Sequence, residues 1–267
     1  MHHYDLFERS AVSGFGGFQA ETALESIRRL EEFLAAKARC GDWPIDEAPY
    51  NVAGRDPGLP ILFAGSLSAK VCVLGRDLGR EEVLAGEPLV GAAGRRLRRA
   101  LYVCLFGSKP NEGDRSIGRV LDHVLLANIV PFKPIGNAPF PWEVREEVRP
   151  AVAQLLGCLW QGNVVITLGN EAFHWFEPYC KPGEVRRFWA RPNRFEAMLE
   201  CWLPAGCREQ DTVKRILVAP LPHPSPLNRR YFQEFETLVR KRWQQIEEMH
   251  TQTDQQARHV TGLQETR

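Results

Sequence analysis

The chain has 267 residues, a hydrophobic fraction of 44%, a charged fraction of 25%, and 34 Lys+Arg against 33 Asp+Glu, for a formal net charge of +1. These values lie close to the globular average and exclude wholesale disorder, collagen-like repeats and a membrane bundle, while the length admits one large domain or two small ones. A charge near zero also argues against nucleic acid as the main partner, an argument that the motifs below contest.

From Ala23 to Leu34 the apolar residues Ala23, Leu24, Ile27, Leu30 and Leu34 recur at helical spacing, with Glu and Arg between them, and predict an amphipathic helix. A Pro-, Gly- and Asp-rich loop covers Cys40 to Pro60. The run Val71-Cys72-Val73-Leu74, closed by Gly75, reads as a buried strand, followed by a Gly-rich loop and a helix from about Gly91 to Phe106. A second strand is expected over Val124 to Val130 and a helix over about Trp142 to Trp160. Val164 to Leu168, closed by Gly169, repeats the pattern, with a helix from Asn170 to about Phe176, and Arg215 to Pro220 gives a fourth strand.

Four short apolar runs, three followed by helical patterns, point to a single-domain three-layer α/β/α sandwich around a mainly parallel four-stranded sheet. The expected organisation is an N-terminal helix and loop over residues 1–60, a main domain over 61–249 and a flexible tail over 250–267. The aromatic, Arg-rich stretch from Glu177 to Asp211 fits this scheme less well and leaves room for an extra hairpin. No apolar run of roughly 18 residues occurs, and the N-terminus lacks the basic-then-apolar pattern of a signal peptide, so a cytoplasmic protein is expected. Seven scattered cysteines without a Cys-x-x-Cys read as reduced thiols, with neither a disulfide framework nor an evident zinc site.

In such sheets the ligand crevice lies beyond the carboxyl ends of the strands. After the first strand comes Gly75-Arg76-Asp77-Leu78-Gly79, whose glycines allow close backbone approach but match neither the dinucleotide fingerprint nor the P-loop. Asp77 is either a turn-capping carboxylate or a functional one. Asn128, inside an apolar run, needs a partner: a neighbouring loop, or the edge of a planar ligand that its paired donor and acceptor could read. After the last strand, three prolines within five residues stiffen Pro222-His223-Pro224-Ser225-Pro226 around one His and one Ser.

Together these blocks resemble the uracil-DNA glycosylase superfamily over roughly Val71 to Arg230. His223-Pro224-Ser225-Pro226-Leu227 resembles its second active-site motif in full form. Gly75-Arg76-Asp77 occupies the place of the first motif, where the best-known branch has Gly-Gln-Asp. Gly86-x-Pro88-x-Val90-Gly91-x-Ala93-Gly94, Asn128-Ile129-Val130, Lys133-Pro134-Ile135-Gly136-Asn137 and Val165 to Ala172 resemble the thermophile-type, iron–sulfur branch in the same order.

The resemblance implies a glycosylase that hydrolyses the N-glycosidic bond of a flipped-out deoxyuridine in DNA, with Asp77 and His223 catalytic. Asp77 would position or deprotonate the attacking water, and His223 would donate to the uracil O2 as charge builds there. Gly75, Arg76, Leu89 and Asn128 would bind uracil, Asn128 donating to O4 and accepting from N3–H, a pattern that cytosine reverses. Ser225, Pro226, Leu227 and Arg229 would contact DNA, with Leu227 filling the space that the base leaves. The alternative is a uracil- or lesion-binding module of the same fold with little turnover. A monomer acting on uracil-containing DNA, nucleoid-associated if bacterial, is expected.

Departures from the family pattern are informative. The closely spaced N-terminal cysteine pair is missing, and Phe132 and Val148 fall where the other two cluster ligands belong, so neither an iron–sulfur cluster nor another metal is expected. Leu89 replaces an aromatic residue that stacks on the base, Gly79 replaces a tyrosine that blocks the thymine methyl group, and Leu78 replaces a proline. The near-zero charge becomes compatible with DNA if the arginines segregate: Arg95, Arg96, Arg98 and Arg99 crowd one helix, and Arg229 and Arg230 follow the His223 loop.

Overall fold

A computed structural model describes residues 22–111, 115–205, 212–225 and 229–262. Four strands run parallel at the centre: β2 (Val71–Gly75), β3 (Val124–Asn128), β4 (Val164–Leu168) and β6 (Val213–Leu221). Two strands that the sequence did not resolve, β1 (Phe63–Gly65) and β5 (Leu199–Pro204), add antiparallel edges on β3 and β6, giving the order β1-β3-β2-β4-β6-β5. The expected α/β class thus holds with a wider, mixed sheet. The excursion after Glu177 returns as β5, which forms a hairpin-like pair with β6.

Burial explains why the central strands read as unbroken apolar runs. Every residue of β2, β3 and β4 is buried, because helices cover both faces. One face, carrying Cys72, Leu74, Leu125, Ala127 and Val165, packs on α1 (Ala23–Cys40), α5 (Trp142–Gln154), α6 (Asn170–His174) and α7 (Glu184–Trp189). The other, carrying Val73, Leu126, Ile166, Ala219 and Leu221, packs on α4 (Ala92–Phe106) and α9 (Phe235–Gly262). β5 instead alternates buried and exposed residues, as an edge strand with one solvated face should.

Local chemistry sets the boundaries. Thr22 and Glu25 form a reciprocal capping box at the start of α1, and α9 runs to Gly262, thirteen residues past Met249, where the main domain was expected to end. Short helices α2 (Ala48–Ala53), α3 (Arg80–Ala85) and α8 (Arg229–Phe232) lie inside segments that read as loops. Cys180 and Cys201 are bonded as a disulfide tying the segment after α6 to β5, which corrects the expectation that all the thiols are reduced. Their separation of 21 residues gave no spacing signal in the sequence. Among the described residues no helix is long and apolar enough to cross a membrane.

Candidate active site

The carboxyl ends of the parallel strands lie level. Gly75 pairs with Asn128, Leu74 with Thr167, and Leu168 with Leu221. The segments leaving these ends are then joined by backbone bonds: Ile129 N–H to Gly75 O (3.0 Å), Val130 N–H to Arg76 O (2.9 Å), Leu78 N–H to Phe132 O (3.0 Å) and Gly169 N–H to Leu221 O (2.8 Å). Asp77, Asn128 and His223 are therefore carried by one connected frame.

Asn128 is 1% exposed, and both amide atoms are buried without a hydrogen-bond partner. Each such atom costs about 1–3 kcal/mol, so the structural alternative weighed for this residue, a bond to a neighbouring loop, is not what the fold provides. Gly75 sits against it: a Cβ there would collide with Asn128 Oδ1 and lie 3.2 Å from Leu89 Cδ2. Gly75, Leu89 and Asn128 thus lie close together on the α4 side of the sheet.

Leu89 occupies the left-handed region, at φ 56°, and is held there by groups that sequence reasoning assigned elsewhere. Arg98 Nε donates to Leu89 O (2.9 Å), and Arg98 Nη2 donates to Pro88 O (3.0 Å) and to Glu87 (3.2 Å). Gly94, one turn earlier on α4, has no room for a Cβ against the Leu89 backbone. The i, i+4 pair Gly94 and Arg98 was visible in the sequence, but Arg98 was read as part of a surface basic stripe. Nearby, the Glu82 carboxylate accepts from Gly91 N–H (2.9 Å) and lies where a side chain at Gly79 would project.

The Asp77 side chain is 10% exposed and accepts from Arg76 Nε at 2.8 Å. Burial pushes its pKa up to about 6, against the opposing pull of the Arg76 hydrogen bond and charge and of Lys133, while Glu171 adds to the rise. Arg76 Nη2 also donates to Asn137 O at 2.7 Å. The guanidinium of Arg76, expected to bind uracil, is thereby turned to Asp77 and the 135–137 turn. Lys133 and Glu171 are the neighbours that sequence reasoning missed; Lys133 is buried beside Asp46 (3.4 Å), and Glu171 is paired with Arg145 (2.7 Å).

His223 follows β6 between the buried Pro222 and Pro224. It keeps surface exposure, but its inner side is crowded, and that burial first and the Arg76 charge second lower its pKa below the ordinary value. The neutral imidazole is favoured near pH 7. Gly169, at φ 87°, would carry a Cβ only 3.1 Å from that of His223, so β4 closes against the His223 loop through a residue that must be glycine. Ser225 N–H donates to His223 O (2.8 Å), tightening the turn. Pro226 and Leu227 lie outside the described residues; Arg229 opens α8.

Where the resemblance would place two cluster ligands, the chain carries apolar side chains. Phe132 and Val148 are fully buried in one apolar cluster, with the Trp43 ring edge-on to Phe132 at 5.5 Å. Only Cys40 precedes Cys72 in the sequence, and no group of three or more His, Cys, Asp or Glu suited to a metal occurs among the described residues.

A match of 33% identity over 109 residues relates the chain to the type-4 uracil-DNA glycosylase of Archaeoglobus fulgidus, covering 40% of this chain and 47% of that protein, less than half of its length. The model of the uracil DNA glycosylase superfamily matches residues 63–247, a span that holds every strand end described above. With its sheet, its strand-end loops and that match in agreement, the chain belongs to the uracil-DNA glycosylase superfamily.

Proposed function

We propose that the protein is a uracil-DNA glycosylase, hydrolysing the N-glycosidic bond of flipped-out deoxyuridine to leave an abasic site, without a metal or iron–sulfur cluster. The observation that carries this reading is the buried, unpartnered Asn128 amide set against Gly75 in the frame that also bears Asp77 and His223. A uracil edge would satisfy both amide atoms at once: Oδ1 accepts from N3–H and Nδ2 donates to O4. Cytosine presents the opposite pattern and would leave both groups unpaired.

Breaking the bond generates an oxocarbenium-like sugar and an anionic base. Neutral His223 stabilises the charge growing on O2 by donating a hydrogen bond, with no proton to lose beforehand. Asp77 in its ionised form holds and polarises the attacking water, and its charge favours the cationic sugar. Arg76 supports both states, drawing Asp77 toward its ionised form and His223 toward its neutral one.

The test is release of free uracil from a uracil-containing oligonucleotide by wild type, Asp77→Asn and His223→Ala. Release by wild type with a loss of at least about a hundredfold in each variant is expected. Equal inertness of all three, with retained binding to the lesion, would instead establish a binding module. Stoichiometric iron in the purified protein would overturn the cluster-free assignment.

A further inference from the structure

The arginines expected to form a basic face on α4 are largely neutralised. Arg95 pairs with Glu81, Arg96 lies 3.4 Å from Glu236 with its guanidinium over Phe232, and Arg98 is buried against Glu87. The segment around α7 shows the reverse. Between Lys181 and Phe195 the chain carries Lys181, Arg186, Arg187, Arg191 and Arg194 against one acidic residue, Glu184. Among the described residues none of these four arginines forms an ion pair, whereas Arg39, Arg76, Arg95, Arg96, Arg98, Arg145, Arg149 and Arg215 all do.

Packing fixes which way this segment faces. Val185 and Phe188 are buried, and the Trp189 ring lies 5.2 Å from Phe173 and 5.7 Å from His174, so the apolar side of α7 is anchored on α6. Arg186, Arg187 and Arg191 are left exposed. Arg191 lies over Phe188 at 4.9 Å, and Arg194 lies over Phe195 at 4.7 Å and Trp189 at 5.3 Å, which restrains two otherwise floppy guanidinium groups before any ligand arrives.

The patch also has a defined position. α6 follows its cap at Gly169, beside His223, and ends at His174, against Trp189. The Phe195 ring meets Tyr231 of α8 at 5.1 Å, just after the His223 loop, and the chain re-enters the sheet at Leu199 opposite Val218, near the end of β6. Five residues of helix span about 8 Å, so the arginines stand on the order of 10–15 Å from His223, about three or four base-pair rises.

We propose that Arg186, Arg187 and Arg191, supported by Arg194, grip the sugar-phosphate backbone of duplex DNA to one side of the flipped nucleotide. Exposed guanidinium groups without an ion pair, with Arg191 already held over Phe188, suit phosphates, and the contact carries no base information. The inference rests on the reading that the strand ends form a DNA-facing site, and it extends the DNA contact beyond the His223 loop to a segment that the sequence left without a role.

The experiment measures binding of the full chain to a fluorescein-labelled, uracil-free duplex over a salt series. The probe proteins are wild type, a triple Arg186→Gln, Arg187→Gln, Arg191→Gln variant, and an equal-charge control with Arg28→Gln, Arg29→Gln and Lys70→Gln. The triple variant is expected to lose about 2–3 units of the log K against log salt slope and at least about tenfold in affinity, equally with and without uracil. Lysine at the same three positions restores the slope, and the control keeps it. A triple variant with the wild-type slope, or a control that loses as much, overturns the proposal. The readout needs no catalysis. A wild type that releases no uracil yet shows the arginine-dependent slope refutes the glycosylase reading alone, whereas one that releases uracil with an unchanged slope refutes only this inference.

Discussion

Arg76→Gln is predicted to shift the pH dependence of uracil release toward alkaline pH. Arg76 donates to Asp77 at 2.8 Å and its charge lowers the pKa of both Asp77 and His223. On the proposed mechanism both groups act in their deprotonated forms, so both define the acid limb, and removing Arg76 raises both pKa values. An adjacent arginine typically lowers a carboxylate pKa by 1–3 units, and the Arg76 side chain is 30% exposed, so solvent screening favours the lower half of that range. With Asp77 near 6 in the wild type, a shift of about 1.5 units reduces its ionised fraction near pH 7 from about 0.9 to about 0.24. The expected outcome is an approximately fourfold loss of kcat/KM near pH 7 that disappears by about pH 9, measured as a full pH–rate profile of both proteins. A loss uniform across pH, with the acid limb unmoved, would refute the electrostatic role and leave Arg76 as a structural or base-binding residue.

Asp77→Asn is predicted to stabilise the fold while removing activity. The carboxyl titrates near 6 against an ordinary 3.8, so the folded state penalises its ionised form above about pH 6 and not below about pH 4; the variant should gain up to about 3 kcal/mol near pH 7 and little near pH 4, read by denaturant unfolding at both. Asn128→Ala removes two unpaired buried atoms and should leave stability unchanged or raised, yet weaken uracil binding by about tenfold or more; Thr167→Val, which deletes another unpartnered buried oxygen, should leave activity intact. Leu89→Phe should lower KM for uracil-containing DNA by about tenfold if the base stacks beside Gly75 and Asn128, and an unchanged KM would place the base elsewhere.

The central layer was legible because a strand covered on both faces has to be continuously apolar, as β2, β3 and β4 are. β1 is three residues long, and β5 alternates Leu199, Cys201 and Leu203 inward with Glu200 and Trp202 outward, inside an aromatic stretch that masks the pattern. The short helices escaped for a related reason: α3 spans six residues, too few to display a helical period. At the candidate site, the residues proposed to act through their own atoms stood out, since Asn128 is conspicuous in an apolar run and His223 among prolines. Residues that act through a neighbour did not. Nothing in the order of the chain shows that Arg98 supports Leu89, that Lys133 and Glu171 bias Asp77, or that Gly169 abuts His223, because each contact joins segments that only the fold brings together. The same limit bears on the basic face: a run of arginines shows charge, but not whether a carboxylate faces it, as Glu81, Glu236 and Glu87 face Arg95, Arg96 and Arg98.

The distribution of satisfied and unsatisfied polarity links the fold to the chemistry. Elsewhere several interior polar groups are answered: Trp160 Nε1 donates to Ala69 O at 2.6 Å, Lys133 N–H to the Tyr50 hydroxyl at 3.1 Å, and Arg242 Nη2 to the carbonyls of Phe195 and Ala197 at 2.7 and 3.0 Å, although Trp175 Nε1 and Arg242 Nε are buried without a partner. At the strand ends the same chain holds an unpaired amide at Asn128 and a desolvated carboxylate at Asp77, both unfavourable for folding. Both sit on segments that backbone bonds after β2, β3, β4 and β6 tie together. On the proposed mechanism, a site built this way would meet the transition state with its dipoles already oriented, the reorganisation that water would require during bond cleavage having been completed during folding. The stability gains predicted for Asp77→Asn and Asn128→Ala measure how much of that organisation the fold sustains.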